Sequence, residues 1–214
     1  MAKIEVERFS LNSRILHWTV FLACAVLTVT GLFLFLPWGG SLAEGSVSRV
    51  IHRIAAIVLI GSPVIYFFTN PKGSIEFLLE AFKWGKDDFE WLKHAPDYYF
   101  GGRSEKMPPQ PHINTGQKMW WCVCIMCTVG FAITGLIMWV WATNGSNAFF
   151  VATIIHDACL IIGGAMLIVH VYLAAIHPKM TESFKSMITG KISPGYARGH
   201  YGKWFEEDVR GKKE

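Results

Sequence analysis

Imidazole is a strong metal ligand, and four of this chain's eight histidines fall in stretches apolar enough to lie in lipid. The stretch IIHDACLIIGGAMLIVHVYLAAIHP carries His156, His170 and His177 within residues 154–178. On a helix, the 14 positions from His156 to His170 correspond to about 21 Å of axis and about 40° of rotation. Both rings therefore look out of one face at two depths. His17 and His52 lie in two further apolar stretches. Alone, each of the four could be an ordinary hydrogen-bonded helix contact; their heights make them a set.

The elements that must position them are membrane helices. Of 214 residues, 52% are hydrophobic and 17% charged, a balance unsuited to a soluble domain of this size. A transmembrane helix needs about 20 mainly apolar residues, and four windows qualify, at about 15–36, 47–68, 119–141 and 149–176. The second is interrupted by Arg49, His52, Arg53 and Pro63. Lys3, Arg8 and Arg14 precede the first window, seven basic residues run from Lys72 to Lys118 inclusive, and eight from Lys179 to Lys213 inclusive. Only Arg49 and Arg53 serve the other two connections. The positive-inside rule then gives four spans with both termini cytoplasmic. The net charge of +4 reflects this orientation, not a nucleic-acid partner. The expected fold is an all-α membrane protein, a four-helix bundle forming one domain over residues 1–214, with a cytoplasmic loop 70–118 and tail 179–214.

That topology sets the heights. His17, early in a span entering from the cytoplasm, falls level with His170, and His52 falls level with His156. Two imidazoles facing each other across a bundle are the axial ligands of a six-coordinate b-type haem. Two such haems are expected, held by His17/His170 and His52/His156. Zinc fits less well, because each level offers two nitrogens and no visible carboxylate or thiolate. Gly163 lies between the two ligands of the fourth span, and Gly31 relates to His17 as His170 does to His156. Small residues there let macrocycles and neighbouring helices approach, with plain helix packing as the alternative. Arg14 and Arg53, close to His17 and His52, could bond haem propionates or simply anchor the interface. His177 competes with His170 as inner ligand, but Pro178 marks a helix end there and directs His177 to water or headgroups. His94, His112 and His200 fall in cytoplasmic segments and are expected to be solvated.

The five cysteines, Cys24, Cys122, Cys124, Cys127 and Cys159, all lie within spans and read as small apolar filler, not as iron–sulfur ligands. Trp18, Trp38, Trp120, Trp121 and Trp141 fall near span ends, as interfacial belts require. No cleavage pattern follows Leu36, so a signal peptide is not expected. Residues 73–94, with Ile75, Phe77, Leu78, Leu79 and Phe82 among charges, read as an amphipathic surface helix. The following Gly- and Pro-rich stretch, YYFGGRSEKMPPQPHINTGQK, should be irregular, and the tail beyond Gly190 extended, docked or partly disordered. No internal repeat is evident.

Several pieces are similar to the membrane-anchored cytochrome b (gamma) subunit of respiratory formate dehydrogenases. They are RILHWTV and TGLFLF in the first span, VSRVIHR in the second, NTGQKMWW and ITGLIMW in the third, HDACLIIGGAMLIVHVY in the fourth, and the tail SMITGKISPGYARGHYGKWFEE. The resemblance implies two b haems and a quinone pocket near the cytoplasmic face, lined by Asn114, Gly116 and Gln117 and bordered by His170. Asn and Gln can hydrogen-bond quinone oxygens, and capping of the third helix is the structural alternative for the same motif. Family members commonly have a basic residue and an aromatic where this chain has His112 and Ile113. The resemblance further implies a bacterial cytoplasmic-membrane complex. In it, an iron–sulfur (beta) subunit passes electrons through this chain to menaquinone or ubiquinone, and a molybdenum- or tungsten-containing (alpha) subunit oxidises formate. A cytochrome b subunit of a membrane-bound hydrogenase or another quinone-linked oxidoreductase is the alternative within the class. A haem-free anchor or metal transporter is the alternative outside it, although Asp157 is the one carboxylate within the spans and Pro63 has no mate.

Overall fold

A computed structural model describes residues 5–36, 47–101, 107–141 and 145–210. Trp38, Lys3, Arg103, Lys106, Lys212 and Lys213, which enter the expectations above, lie outside the described residues. The chain forms two compact units. One comprises residues 11–71 and 123–171, the other residues 1–10, 72–122 and 172–214.

The first of these holds most of four helices long and apolar enough to cross a membrane. They are α1 (Leu11–Phe35), α2 (Val47–Thr69), α5 (Thr115–Leu136, extended by a wide π-type turn to Trp141) and α6 (Asn147–Val171, extended likewise to Ile176). Their flanks are open: Leu22, Ile54, Ile161 and Ile168 are all exposed, as side chains facing lipid must be. Helix α1 runs along α2 and touches α6. A hydrogen bond of 2.9 Å joins Ser13 Oγ of α1 to Tyr66 Oη of α2, so the start of one meets the end of the other. Between α5 and α6 the contacts are small: Cys159 Sγ lies against Gly130, and Cys127 against Gly163.

The other unit gathers the three basic segments. Helices α3 (Pro71–Phe82) and α4 (Lys86–Phe100) follow α2, and the first residues of α5 belong here. After α6 come a 3₁₀ turn (Pro178–Met180), α7 (Thr181–Thr189), α8 (Pro194–His200) and a short α9 (Gly202–Trp204) that widens into a π-type turn (Phe205–Arg210). Two short strands join the ends of the chain: β1 (Val6–Glu7) pairs antiparallel with β2 (Lys191–Ile192), in the register Val6 to Ile192. Gly190 ends α7 with φ +84°, a left-handed conformation suited to glycine. Its carbonyl accepts the Arg8 and Phe9 N–H groups at 2.7 and 3.1 Å. Val6, Ile192, Ala197, Tyr201, Trp204 and Phe205 form a small core.

One expectation needs correction. The region after residue 97 is not irregular from its start, because α4 carries Tyr98, Tyr99 and Phe100 with Pro96 inside the helix. Of the alternatives for the tail beyond Gly190, the docked one holds to residue 210, by strand pairing with β1 and aromatic packing. The spans also begin up to four residues earlier than hydropathy suggests. For α5 the reason is a polar cap that lies outside the apolar window.

Candidate functional site

The helical rotation that aligns His156 with His170 brings each to a partner. The His17 and His170 ring centres are 6.5 Å apart, and those of His52 and His156 are 6.4 Å apart. The rings are tilted at 53° and 49°, and all four side chains are half-buried. Such a gap is wider than that of two stacked rings and lies at the outer end of the range for ring pairs. An ion gripped by both rings, with metal–nitrogen bonds of about 2 Å and ring radii of about 1 Å, requires a separation of about 6 Å. Among the described residues no three His, Cys, Asp or Glu side chains converge on one point. Each site therefore offers two nitrogen donors, and these residues would hold a group that brings its remaining metal ligands with it, as a porphyrin does.

The ring tautomers at one pair are set by neighbours that the histidine pattern alone did not reveal. Thr30 Oγ lies 2.7 Å from His52 Nδ1, and Thr134 Oγ lies 2.8 Å from His156 Nδ1. Each hydroxyl also donates to the carbonyl four residues back, Val26 at 2.7 Å and Gly130 at 2.6 Å. With its hydrogen thus engaged, the threonine oxygen accepts from the ring, so Nδ1 carries the proton and Nε2 keeps its lone pair for a metal. A sequence signal existed: Thr-Gly-Leu occurs at 30–32 and at 134–136, each threonine 22 residues before its histidine. The two copies are too short to make an internal repeat of the chain, but they occupy equivalent places. Their glycines face the rings, because a Cβ at Gly31 would stand 3.5 Å from His52 Cε1 and one at Gly135 3.6 Å from His156 Cε1. Gly163 instead faces Cys127, the packing alternative.

The NTGQK motif lies in the other unit, where it opens α5 with a reciprocal cap. Gln117 N–H donates to Asn114 Oδ1 at 2.9 Å, and Asn114 N–H donates to Gln117 Oε1 at 3.0 Å. The capping alternative is therefore real, and it leaves the two side-chain NH₂ groups as donors. Lys118, 3% exposed, directs its three protons to Asp88 Oδ1 at 2.9 Å, Asp88 Oδ2 at 3.1 Å and the Lys83 carbonyl at 2.7 Å. Burial alone would raise the Asp88 pKa; hydrogen bonds from Lys118, Thr115 and the Gly85 N–H outweigh it and hold the carboxyl below its usual range. A Cβ at Gly116 would stand 3.0 Å from the Trp91 indole, so packing of Trp91 accounts for this glycine. Asn114 shares a pocket with Trp91, Tyr98, Tyr99, Gln110 and His200.

The remaining candidates divide. Arg14 is half-buried one turn before His17. Arg53 is exposed and lays its guanidinium over the Trp139 ring at 4.9 Å, an interfacial anchor's contact. His177 does mark a helix end, but it does not face water. It is 5% exposed, with Nε2 3.0 Å from the Tyr99 carbonyl and Nδ1 accepting the Lys179 N–H at 3.3 Å. With both nitrogens bound to backbone, the ring is a structural pin. Nor are His112 and His200 solvated. His112 packs on Trp204 at 5.2 Å, its carbonyl accepts from Arg8, and burial and the Arg8 charge push its pKa down to about 4. His200 stacks on Tyr196 at 3.9 Å and receives the Tyr98 hydroxyl at 2.6 Å. Arg8 itself is 6% exposed, 3.6 Å above Tyr201, and burial lowers its pKa.

Four apolar helices and two facing histidine pairs are what a membrane cytochrome of the b type requires. The prokaryotic cytochrome b561 family model matches residues 8–190, and the chain belongs to that family, which implies haem b. Its relatives are more particular. The cytochrome b556 subunit of formate dehydrogenase from Haemophilus influenzae is 24% identical, covering 100% of this chain and 90% of its own. The cytochrome b556(Fdn) subunit of the nitrate-inducible formate dehydrogenase of Escherichia coli K12 is 25% identical, covering 98% and 95%. The Shigella flexneri protein of the same description gives the same figures.

Proposed function

We propose that this chain is the dihaem cytochrome b subunit of a formate dehydrogenase complex in the bacterial cytoplasmic membrane. It anchors the complex and carries electrons from an iron–sulfur subunit to a quinone; formate oxidation belongs to a partner with molybdenum or tungsten. The observation that carries the reading is the pair of ring separations, 6.5 Å for His17/His170 and 6.4 Å for His52/His156. Bound haem supplies one-electron redox chemistry, while these histidines supply axial ligands and fixed orientation. The whole chain acts in this reading as one dihaem domain.

Orientation follows from charge and strand pairing together. The pairing of residues 6–7 with residues 191–192 supports putting both termini on one side of the membrane, as an even number of spans would. The side that gathers most of the basic residues is the cytoplasmic one. Electrons enter at His52/His156, on the far side, and leave from His17/His170. At the quinone, Asn114 and Gln117 donate side-chain N–H to the carbonyl oxygens while their own oxygens cap α5. Two protons taken up from the cytoplasm accompany the two electrons. Arg14 is placed to neutralise a propionate by His17.

The test uses membranes with and without this chain. Formate-dependent quinone reduction should vanish without it, while formate oxidation by a soluble dye persists on the catalytic subunit. Quinone reduction that continues undiminished in its absence would refute the assignment.

A further inference from the structure

We infer that Thr30 and Thr134 are positioning residues that give electron flow its direction, lowering the reduction potential of the iron held by His52/His156 below that of the iron held by His17/His170. The inference rests on the dihaem reading above. At the first pair, both rings donate Nδ1–H to a threonine oxygen, at 2.7 and 2.8 Å, and both threonines are themselves fixed by their helix carbonyls. An imidazole that donates from its far nitrogen is a stronger electron donor through the near one, and stabilises the higher oxidation state of its metal. The second pair lacks this symmetry. His17 Nδ1 is buried and has no hydrogen-bond partner among the described residues. An indole edge, Trp18 at 5.3 Å, stands beside the His17 ring instead.

The consequence is a downhill step. With haem held by both histidine pairs, one electron would pass from the group at His52/His156, oxidising it, to the group at His17/His170, reducing it, and no proton would move. The repetition argues against chance. The two threonines occupy equivalent places, each one residue before a ring-facing glycine and 22 residues before its histidine, on two different helices.

The experiment is a redox titration of the visible spectrum on the solubilised, full-length protein, with haem quantified in every sample. His156→Ala identifies which midpoint belongs to the His52/His156 site. In the wild type, the lower midpoint should be the one that disappears. Replacing Thr30 and Thr134 together by Val should raise that midpoint by about tenfold in equilibrium constant, or about 59 mV for one electron, leaving the other in place. Replacement by Ser, which keeps the hydroxyl, should restore it. If the double Val variant binds no haem, the single variants carry the same comparison, each with a smaller shift. Selective loss of the His52/His156 haem in Val but not Ser variants would equally support a positioning role. Two haems whose midpoints do not respond to Val, or loss of the higher midpoint in His156→Ala, would overturn the inference and leave the dihaem reading standing. Fewer than two b haems in the wild type would instead bring down the reading beneath it.

Discussion

At the scale of single residues, the account turns on which histidines face a partner ring and which face backbone. His170 looks across 6.5 Å to His17, whereas His177 has both nitrogens engaged by the Tyr99 carbonyl and the Lys179 N–H. Replacing His170 by Ala should remove one of two haems and leave the other reducible. His177→Ala should keep both and loosen the contact with α4. Haem content per chain decides between them, and the opposite pattern would reverse the assignment. A second prediction separates the capping duty of the NTGQK motif from the quinone contact proposed for it. Asn114→Asp and Gln117→Glu retain the oxygens that cap α5 and suit a helix N-terminus, but lose the N–H donors. Thermal stability should hold, while the KM for quinone rises about tenfold for each lost hydrogen bond. The four paired histidines were legible because helical rotation and span direction fix their heights. The surroundings of His112, His177 and His200 were not. Their partners, Trp204, Tyr99 and Tyr98, come from segments far away in sequence, and no local period records such contacts.

Among the elements, α5 shows how a membrane helix is fixed at its polar end. The Asn114–Gln117 cap closes its first turn, and one turn on, Lys118 enters a buried ion pair with Asp88 of α4, their side chains 4% and 7% exposed. Thr115 Oγ adds 2.7 Å contact to the same carboxylate. Asp88→Asn would leave the Lys118 charge buried beside a neutral amide, and should destabilise this unit by about 3–5 kcal/mol. Protease cleavage within residues 86–118 at a lower temperature than in the wild type is the expected result, and unchanged resistance would contradict it. The spans could be read from apolar length because lipid leaves helices few other options. The pairing of β1 with β2 could not, since two-residue strands carry no alternation. Their register follows from burying Arg8 among Tyr201, Trp204 and Phe9. The paired Thr-Gly-Leu match was visible in the sequence and was missed, because a short shared triplet means little until each copy is seen to touch a histidine.

For the molecule as a whole, the unit built from the N-terminal segment, the long connection and the tail holds two half-buried histidines, His112 and His200, whose pKa values burial lowers, and this makes it sensitive to acid. His112 titrates near about 4 in the folded state, below its ordinary value of about 6.5. The unfolded chain therefore binds the proton more readily. The stabilisation is complete above pH 6.5 and is lost as pH falls towards 4, on the order of 3 kcal/mol for this group. Burial shifts His200 in the same direction. Proteolysis of the tail should accelerate steadily between pH 6.5 and 4.5, and His112→Gln should flatten that dependence; a pH-independent rate would count against it. The central claim is that the bundle binds two irons between facing imidazoles. A reduced-minus-oxidised visible spectrum of the purified chain, with haem quantified by extraction, tests it most directly. Two low-spin b haems per chain are expected; a folded protein with one haem or none would contradict the claim.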